Sequence, residues 1–248
     1  MYIDNLKNNF GKKIIAESTK TSLVQNIFSK VSNKYDLMND IMSLGFHRLW
    51  KKRLIEMINL QKNEYIIDVG SGTGDLAKLI LEKNIKSNLY CIDLNYNMLK
   101  EAKKKIKIKK NINIKFLKAN AENIPLESNF FDKYLISFCL RNITSIDLAL
   151  KEAIRVLKPG GEFYCLEFCT PATNLINLIY SKYKNKVIPI MGDKFAKDFK
   201  AYKYLEESID QFPHQDILLE NLREIGFQYT SYWKLFDGIV CIHKGFKI

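Results

Sequence analysis

The sequence contains few of the residues that build disulfide frameworks and metal sites. Its five cysteines are scattered, none belongs to a Cys-x-x-Cys pair, and their odd number argues against a set of disulfides. The three histidines, at positions 47, 214 and 243, lack the close spacing of metal ligands. The sequence therefore predicts a reduced, intracellular protein with no bound metal.

Long apolar runs are also missing. No run approaches the roughly 20 residues that a transmembrane helix needs, and we find no internal repeat or low-complexity linker. The first residues, MYIDNLKNNFGKK, lack both the apolar core of a signal peptide and the arginine-rich, acid-poor pattern of a transit peptide. These residues predict no targeting segment, and the question of a leader removed ahead of them stays open.

Positive charge is the feature in excess, since the formal net charge is +12. Such a surplus suits nucleic acid or an anionic membrane. Lysine far outnumbers arginine, however, and a run such as KEAKKKIKIKK (100–110) is typical of a solvated helix face and the loop that follows it. The composition therefore favours a solvated surface over a nucleic-acid site, and it leaves weak attraction to anionic membranes open.

Apolar strand patterns alternate with helical patterns through the middle of the chain. Strands are predicted at 64–70, 88–94, 113–120, 130–138 and 162–168, and helices at 75–83, 96–106 and 145–157. The last of these helices stops at KPGG, a Pro-Gly signal. The alternation predicts an α/β, Rossmann-like domain with a parallel sheet and helices on both faces.

The end of the chain carries a helix and then two more strands. The helix is predicted at 214–226, and the strands at 227–236 and 238–245. Asp237-Gly238 between the strands favours a hairpin. We therefore expect a mostly parallel, seven-stranded sheet with an antiparallel last strand.

Helical patterns flank the alternating region on both sides. Residues 22–60 show apolar positions at helical spacing, and residues 173–213 form a long helical segment rich in aromatic residues and lysine. We expect two parts: a helical cap over the active site at 1–60, and a main domain at 61–248. The main domain is expected to carry a helical insertion at about 172–213.

A glycine-rich turn, DVGSGTGD (68–75), follows the first strand of the alternating region. Gly70, Gly72 and Gly74 allow positive φ and a close approach of backbone to a ligand. Ligands of open α/β sheets bind at the carboxyl ends of the strands. The turn is therefore a candidate ligand site, with the N-terminus of the helix at Asp75 facing the same space.

Two ligands compete for this turn. A dinucleotide site has a Gly-x-Gly-x-x-Gly pattern and a pyrophosphate over the helix N-terminus, where Asp75 would repel it. Asp68 and Asp75 suit a ligand with an ammonium and a sulfonium, namely S-adenosylmethionine. Asp93 ends the second strand, 19 residues after Gly74, where a carboxylate binds ribose hydroxyls. These acids favour S-adenosyl-L-methionine as the cofactor, whereas a purely structural turn explains the glycines alone.

Three blocks of sequence resemble a known family. They are KYDLMNDIMSLGFHRLWK (34–51), DVGSGTGD and ISFCLRNIT (136–144), and the resemblance runs from about Phe10 to the C-terminus. The chain resembles the ubiquinone/menaquinone biosynthesis C-methyltransferases (the UbiE family), within the class I methyltransferases. The glycine turn is common to many methyltransferases, so the KYDLMND and LRN motifs carry the narrower assignment.

The resemblance implies a donor site at the carboxyl ends of the strands. The implied residues are Thr73, Asp93, Asn120, Ala121 and Ser137, which join Asp68, Gly70 and Gly72 as candidates for binding S-adenosyl-L-methionine. Two positions depart from the family pattern. Cys139 stands where the family usually has glycine, which predicts an effect on the local backbone and on pocket width. Asp237 replaces an uncharged residue, and we expect little consequence.

The resemblance also implies the acceptor, a reduced polyprenylated quinol that is methylated on a ring carbon. Arg141 and Asn142 follow the fourth strand, and the family associates this pair with the quinol hydroxyl. A guanidinium cannot act as a base, so we expect Arg141 to stabilise a phenolate and Asn142 to hold the hydroxyl or a water. Tyr35 is expected to cover the ring. Asp36 is expected either to cover the acceptor ring as well or only to pack and cap its helix.

His47 and Trp50 are expected to pack rather than to catalyse. Within residues 173–200, apolar positions lie between lysines. We expect these apolar side chains to do one of three things: line the entrance for the acceptor's tail, contact a membrane surface, or pack on the core or on a second copy of the chain. The expected partners are the polyprenyl benzoquinol, a membrane surface, a homodimer mate and a quinone-biosynthesis complex, and no nucleic acid.

The compartment and three other functions stay open. We expect the matrix side of the mitochondrial inner membrane in a eukaryote and the cytoplasm in a bacterium. The alternatives are a methyltransferase for another small lipophilic acceptor (a sterol or phenol), a non-catalytic scaffold in quinone biosynthesis, and an RNA methyltransferase. The last lacks aromatic stacking platforms of the kind found in RNA-recognition modules.

Overall fold

The computed structural model describes residues 9–11, 13–106, 112–171, 173–183 and 199–248. The strands are β1 (Asn9–Phe10), β2 (Lys13–Ile14), β3 (Tyr65–Val69), β4 (Ser87–Asp93), β5 (Ile112–Lys118), β6 (Phe131–Ser137), β7 (Leu157–Phe168), β8 (Gln228–Leu235) and β9 (Val240–Phe246). The helices are α1 (Glu17–Val31), α2 (Tyr35–Ser43), α3 (Phe46–Met57), α4 (Asp75–Glu82), α5 (Tyr96–Lys105), α6 (Ile146–Val156), α7 (Asn174–Lys182), α8 (Phe199–Gln211) and α9 (Gln215–Ile225).

The described strands from β3 onward form one sheet, in the order β5-β4-β3-β6-β7-β9-β8. All neighbours pair in parallel except β9, which is antiparallel to both β7 and β8. The predicted seven-stranded sheet with an antiparallel last strand is therefore confirmed. The chain runs outward from β3 to β5 and returns to β6 on the other side of β3. This reversal opens a crevice at the carboxyl ends of β3, β4 and β6.

Local sequence explains where these elements begin and end. Tyr134, Leu135 and Ile136 in β6 are buried on both faces, as in a central strand covered by helices. Asn95 caps α5 by accepting a hydrogen bond from the backbone N–H of Asn97 at 3.0 Å. Gly226 ends α9 in the left-handed conformation, with φ of 114°.

The helices before the sheet divide between two apolar clusters. Trp50, Leu54 and Ile55 of α3 pack in the same cluster as sheet residues such as Ile66. Val24, Val31 and Met38 of α1 and α2 instead pack with Tyr202 and Leu205 of α8. The first helices therefore share a core with the second helical segment. The division at residue 60 stays a prediction.

Two sequence-based boundaries differ from the structure. Helix α6 ends at Val156, before KPGG as predicted, but strand β7 begins at Leu157 rather than at 162, so KPGG lies inside the strand, next to an irregular register with β6. The β8–β9 connection is a 3-10 turn over Phe236–Gly238 rather than a two-residue link. There Asp237 Oδ2 accepts hydrogen bonds from the backbone N–H (3.0 Å) and hydroxyl (2.8 Å) of Thr173. Asp237 therefore ties the hairpin to the start of α7.

The predicted helical segment at 173–213 is described in part. Helices α7 and α8 are present, whereas residues 184–198 and the side chains of Leu175 and Ile179 lie outside the described residues. Leu178 is exposed, and Tyr180 is half-buried. Residues 107–110 of the predicted lysine-rich face also lie outside. Among the described helices, none is both long enough and apolar enough to cross a membrane.

Candidate active site

A cavity of about 740 Å³ lies in the crevice at the carboxyl ends of β3, β4 and β6. We call it the first cavity. From the sheet side it is lined by Gly70, Gly72, Asp93, Asn120, Ala121, Phe138, Cys139 and Asn142, and from α1 and α2 by Thr21, Val24, Gln25, Phe28 and Tyr35. The N-terminal helices therefore form one wall of the same space that the glycine turn borders.

Asp93 is held in place at the end of β4. Its Oδ2 accepts the backbone N–H of Gly72 at 2.9 Å, and its Oδ1 accepts that of Asn95 at 2.7 Å. Burial raises the pKa of Asp93 to about 6, although the two backbone hydrogen bonds work in the opposite direction. The carboxylate is thus oriented beside the glycine turn, with unused acceptor capacity for the hydroxyls of a ribose.

Close packing around the turn requires glycine at position 70. Gly70 has φ of +65°, and a Cβ there would lie 2.1 Å from the Sγ of Cys139. Cys139 itself has φ of −120°, which any residue adopts, so cysteine needs no special backbone in place of the family glycine. The positive φ is one residue earlier, at Phe138 (53°). The effect of Cys139 is therefore to fill space beside Gly70 and narrow the first cavity.

Asn120 and Ala121 lie two and three residues after the end of β5 and border the first cavity. The Oδ1 of Asn120 accepts the backbone N–H of Glu122 at 3.1 Å, which shapes a short turn. These residues, predicted to lie at the adenine, therefore occupy the same cavity as Asp93. Their roles stay predictions.

A second cavity of about 300 Å³ lies beneath the glycine turn. Its polar lining residues are Lys51, Asp68, Ser71, Thr73, Asp75 and Ser137. Tyr35, Gly70 and Gly72 line both cavities. Every residue predicted to bind S-adenosylmethionine thus borders one of these two adjoining spaces.

Polar atoms without partners converge on the second cavity. The Oδ2 of Asp68 and the hydroxyls of Ser71 and Ser137 are buried and make no hydrogen bond within the described chain. Asp68 is only 1% exposed, and its burial raises the pKa of the carboxyl to about 7. Buried polar groups are normally paired, so these three oxygens indicate a space made for a polar ligand.

Thr73 has a partner on the N-terminal helices. Its hydroxyl donates to the Oδ1 of Asp36 at 2.5 Å, and Lys105 pairs with the other oxygen of the same carboxylate. Asp36 lies inside the first turn of α2 and does not cap it, because the helix begins at Tyr35 and its N-cap position, Lys34, makes no side-chain capping bond. Asp36 therefore joins α2 to the glycine turn and to α5.

Tyr35 and Asn142 are the predicted acceptor residues that border the first cavity. Burial raises the pKa of Tyr35 to about 12, so its hydroxyl stays protonated at neutral pH. The hydroxyl of Tyr204 donates to Asn142 Oδ1 at 3.2 Å. This bond fixes the amide so that its N–H₂ group remains for the carbonyl of Phe138, 3.5 Å away, or for a ligand.

Arg141 lies behind Asn142 and borders a neighbouring cavity of about 320 Å³. Its Nη1 donates to Glu167 Oε1 and to the carbonyl of Phe138, both at 2.8 Å. The two side chains are 5% and 0% exposed. Burial raises the pKa of Glu167 despite the adjacent guanidinium, and Arg141 Nε is a buried donor with no partner in the described chain. Arg141, which was expected to stabilise a phenolate, is therefore half of a buried ion pair.

His47 and Trp50 are buried, as predicted for packing residues. His47 also hydrogen bonds Asp40 through Nε2 at 2.9 Å. The residues that the sequence reasoning missed are Glu167, Lys51 and Tyr204. A signal existed for Glu167, since a carboxylate inside the apolar run FYCLEF is unusual for a buried strand. No group of three His, Cys, Asp or Glu side chains in the described ranges is arranged to hold a metal ion.

The two adjoining cavities fit S-adenosylmethionine. The first offers an oriented carboxylate and an apolar wall, which suit an adenosine. The second offers unpartnered oxygens and buried charges, which suit the ammonium and carboxylate of an amino acid. A Cβ at Gly72 would lie 3.7 Å from the ring of Tyr35, and both residues line both cavities, so the cavities meet beside that ring.

Comparison with known proteins agrees with this geometry. The model of the ubiE/COQ5 methyltransferase family matches residues 15–247. A relative from Rickettsia bellii, named ubiquinone/menaquinone biosynthesis C-methyltransferase UbiE, is 46% identical over 98% of this chain and 99% of its own. A relative from Dictyostelium discoideum, named 2-methoxy-6-polyprenyl-1,4-benzoquinol methylase, mitochondrial, is 38% identical over 99% of this chain and 88% of its own.

A solved structure shares the fold at low sequence identity. The crystal structure of a SAM-dependent methyltransferase from Thermotoga maritima has a TM-score of 0.63 and is 20% identical, covering 91% of this chain and 100% of the other. The sheet, the crevice and the match along almost the whole sequence lead to one assignment: the chain belongs to the ubiE/COQ5 methyltransferase family.

Proposed function

We propose that this enzyme transfers a methyl group from S-adenosylmethionine to a ring carbon of a reduced, polyprenylated benzoquinol or demethylmenaquinol. This reaction belongs to the biosynthesis of ubiquinone or menaquinone. The observation that carries the proposal is the similarity to relatives so named over nearly the full length of both chains. The first cavity supports it, because the donor residues Asp93, Asn120 and Ala121 and the predicted acceptor residues Tyr35 and Asn142 border this one space.

S-adenosylmethionine supplies an electrophilic methyl group on a sulfonium. A neutral ring carbon is a weak nucleophile, and loss of the neighbouring phenol proton makes it electron-rich. This carbon then takes the methyl group as the methyl–sulfur bond breaks, and the ring C–H proton is lost afterwards. A phenol has an ordinary pKa near 10, and each unit of lowering corresponds to about 1.4 kcal/mol. The protein's task is therefore to stabilise a phenolate next to the donor.

We infer that Arg141 provides that stabilisation. Its Nε is a buried N–H without a partner, which suits a phenolate oxygen. A guanidinium has no acceptor and keeps its proton, so the phenol proton goes elsewhere. Glu167 is the carboxylate in contact with Arg141, and its raised pKa lets it hold a proton. Proton transfer to Glu167 would leave Arg141 free to pair with the phenolate.

Asn142 and Tyr35 position the acceptor ring. The amide of Asn142 is oriented by Tyr204 and can hold a ring oxygen or a water. Tyr35 stays neutral and covers the passage where both cavities meet. Asp93, Asn120 and Ala121 bind the adenosine, and Thr73, Asp68 and Ser137 complete the donor site.

The test is expression in a bacterium that lacks its own quinol C-methyltransferase. We expect quinones extracted from these cells to regain one methyl group, as measured by mass spectrometry. The Asp93→Ala variant should lose both donor binding and this methylation. An unmethylated quinone pool, in cells that contain folded chain able to bind S-adenosylhomocysteine, would refute the choice of acceptor.

The acceptor's polyprenyl tail needs an entrance to the site, and it suggests contact with a membrane. Tyr180 borders a cavity of about 530 Å³ together with Phe168, whose ring lies 5.2 Å from the Arg141 guanidinium. We propose that the tail enters near α7, where the aromatic rings of Tyr180 and Phe168 border this cavity. We also propose peripheral contact with a membrane, on the matrix side of the inner membrane in a mitochondrion or from the cytoplasm in a bacterium. Sedimentation with anionic vesicles tests the contact, and light scattering tests the homodimer and the quinone-biosynthesis complex.

A further inference from the structure

A cavity with two cations in its lining adjoins the first cavity at Asn142. It is the space of about 320 Å³ that Arg141 borders, and we call it the Arg141 cavity. The hydroxyl of Tyr204, which lines this cavity, donates to Asn142 Oδ1 at 3.2 Å, and Asn142 lines the first cavity. The Arg141 cavity is therefore a neighbour of the predicted acceptor site. Its polar lining residues are Asn9, Lys20, Arg141, Tyr204, Ser208 and Gln211.

The two cations, Lys20 and Arg141, are both buried. Lys20 is 3% exposed, and the side chain of Arg141 is 5% exposed. No acidic residue is among the described residues that line the cavity. A buried cation is unfavourable unless an anion or several hydrogen-bond acceptors surround it. A cavity wall with two cations and no acid therefore favours an anionic group inside the cavity.

Arg141 also brings an N–H donor that has no acceptor. Its Nη1 donates to Glu167 and to the carbonyl of Phe138, whereas its Nε is buried without a partner in the described chain. Glu167 does not line the Arg141 cavity. The ion pair therefore anchors one edge of the guanidinium and leaves Nε available to a ligand. Buried donors are normally paired, so this N–H indicates a missing acceptor.

Helix α1 fixes the position of Lys20. The hydroxyl of the next residue, Thr21, lies 2.6 Å from the hydroxyl of Thr144, which follows Asn142 by two residues. This hydrogen bond joins α1 to the segment that carries Arg141, so both cations reach the same cavity from elements that are held together. The ammonium of Lys20 has three N–H donors and can bind an oxygen in the cavity as well as its neighbours in the chain.

We propose that the Arg141 cavity receives the phenolate oxygen of the acceptor, and that Lys20 is a second cation that donates to this oxygen beside the Nε of Arg141. The inference rests on the proposed function, because the oxygen belongs to the quinol. It adds a catalytic residue from α1, ahead of the KYDLMND motif. Two preorganised cations at the developing charge also stabilise it more than Arg141 alone.

The test is a spectroscopic titration of the full chain, with S-adenosylhomocysteine bound, by a nitrophenol that carries a short prenyl tail. Phenol and phenolate absorb at different wavelengths, so the pKa of the bound compound can be measured. An adjacent opposite charge lowers the pKa of an acid by about one to three units. We expect the pKa of the bound nitrophenol to be at least about one unit below that of the free compound.

Lys20→Met should weaken binding of the phenolate by about 10- to 100-fold, as for loss of a hydrogen bond to a charged group. Affinity for the neutral phenol should stay within about threefold, which a merely structural role would not predict. Lys20→Arg keeps the charge and should retain part of the preference for the phenolate. In the bacterial assay, Lys20→Met should also lower methylation of the quinol by at least about tenfold.

Two controls separate recognition from folding. Lys30→Met, at an exposed position near the end of the same helix, should bind the nitrophenolate like the native chain. Affinity for S-adenosylhomocysteine should be unchanged in every Lys20 variant, because Lys20 borders neither donor cavity. The double variant Lys20→Met/Arg141→Ala should lose the preference for phenolate over phenol.

Four results would overturn the inference. The native chain could bind phenol and phenolate equally, or the preference for phenolate could survive in Lys20→Met, which would leave Arg141 as the cation. Equal weakening of phenol, phenolate and S-adenosylhomocysteine in Lys20→Met would indicate a structural role. Displacement of the nitrophenolate by a lower concentration of inorganic phosphate would assign the cavity to a free anion. Full methylation by Lys20→Met in the bacterium would refute only this inference, whereas no methylation by the native chain would refute the proposed function as well.

Discussion

Strands β6 and β7 carry a buried cation–carboxylate pair at each of their two ends. At the amino end Lys133 and Glu162 are register partners and form an ion pair. At the carboxyl end Arg141 follows β6 and binds Glu167 near the end of β7. The two cations are similarly buried, with side chains 7% and 5% exposed. The pairs differ in how completely their polar atoms are satisfied.

The amino-end pair is part of a complete network. Glu162 also accepts the hydroxyl of Tyr164 at 2.6 Å and pairs with Lys244 at 2.5 Å, and Lys133 lies 3.3 Å from Glu64. Burial opposes the charge of Glu162, but these hydrogen bonds outweigh it and lower its pKa to about 2. This network joins β6, β7 and β9 to the residue before β3, and none of its side-chain atoms is buried without a partner in the described chain.

The carboxyl-end pair is left incomplete. Glu167 has one side-chain donor, Arg141, besides backbone N–H groups at 3.1 Å and 3.4 Å, and burial raises its pKa. Arg141 keeps a buried N–H without a partner. The same two strands therefore stabilise the fold at one end. At the other end, beside the predicted acceptor site, they hold a buried ion pair whose hydrogen bonds are incomplete.

The largest expected effect is on stability at the amino end. Lys133→Met would leave Glu64 and Glu162 facing each other without their shared cation. We expect a loss of about 3–5 kcal/mol in the free energy of unfolding, the usual range for removing one partner of a buried pair. Urea unfolding measures it, and affinity for S-adenosylhomocysteine below the transition should not change.

A matched control lies on the same strands. Lys158→Met breaks the pair of Lys158 with Asp132, whose side chains are 37% and 27% exposed. Its cost should stay near 1 kcal/mol or below. Equal costs for the two variants would contradict the distinction between a buried network and a surface pair.

The next effect is on turnover at the carboxyl end. Arg141→Ala should lower kcat by about 10²- to 10³-fold, as for removal of one preorganised donor from a charge-stabilising site. Affinity for S-adenosylhomocysteine should not change, because Arg141 borders neither donor cavity. Arg141→Lys should recover only part of kcat, since an ammonium lacks the planar fork.

Folding must be separated from catalysis in this variant. The double variant Arg141→Ala/Glu167→Gln leaves no unpaired carboxylate, and it should be as inactive as Arg141→Ala alone. Arg53→Ala, at an exposed position of α3, should keep native activity. Survival of turnover in Arg141→Ala would show that the acceptor is stabilised elsewhere.

The sequence predicts the sheet better than it predicts these pairs. The strands follow from apolar runs such as that of β6, and Asp93 and Asn120 follow from their positions at strand ends. Glu167 was missed because its partner is 26 residues away and lies in the short 3-10 turn after another strand. Thr73 was predicted as a donor residue, but a pattern along the chain cannot show that Asp36 takes its hydroxyl. Such contacts depend on how α2 packs across the turn.

A smaller effect is expected from Glu167→Gln. The amide keeps an oxygen for Arg141 and removes the carboxylate that we propose to take the phenol proton. We expect kcat to fall by about 10²-fold, the low end of the range for loss of a general base and no more than for loss of the cation. The raised pKa of Glu167 also predicts that native kcat rises with pH until the carboxylate is ionised. The Gln variant should lose this acidic limb, and an unchanged profile would assign the proton to water.

The smallest expected effect is that of Tyr164→Phe at the amino end. The variant removes one donor to Glu162 and keeps both lysines, so we expect a loss of about 1 kcal/mol at pH 7. Because the pKa of Glu162 is lowered to about 2 in the folded chain, its stabilising effect is present above the ordinary pKa of about 4.3 and declines as pH falls toward 2.

The difference between Tyr164→Phe and the native chain in urea unfolding should therefore shrink between pH 5 and pH 3, as Glu162 takes up a proton in the unfolded state and then in the folded one. Tyr232→Phe, which removes an exposed hydroxyl bond to Asp216, should cost less than about 0.5 kcal/mol. A Tyr164 difference that did not depend on pH would mean that the hydroxyl acts through packing. The amino-end network would then be no more complete than the pair at the other end of the same strands.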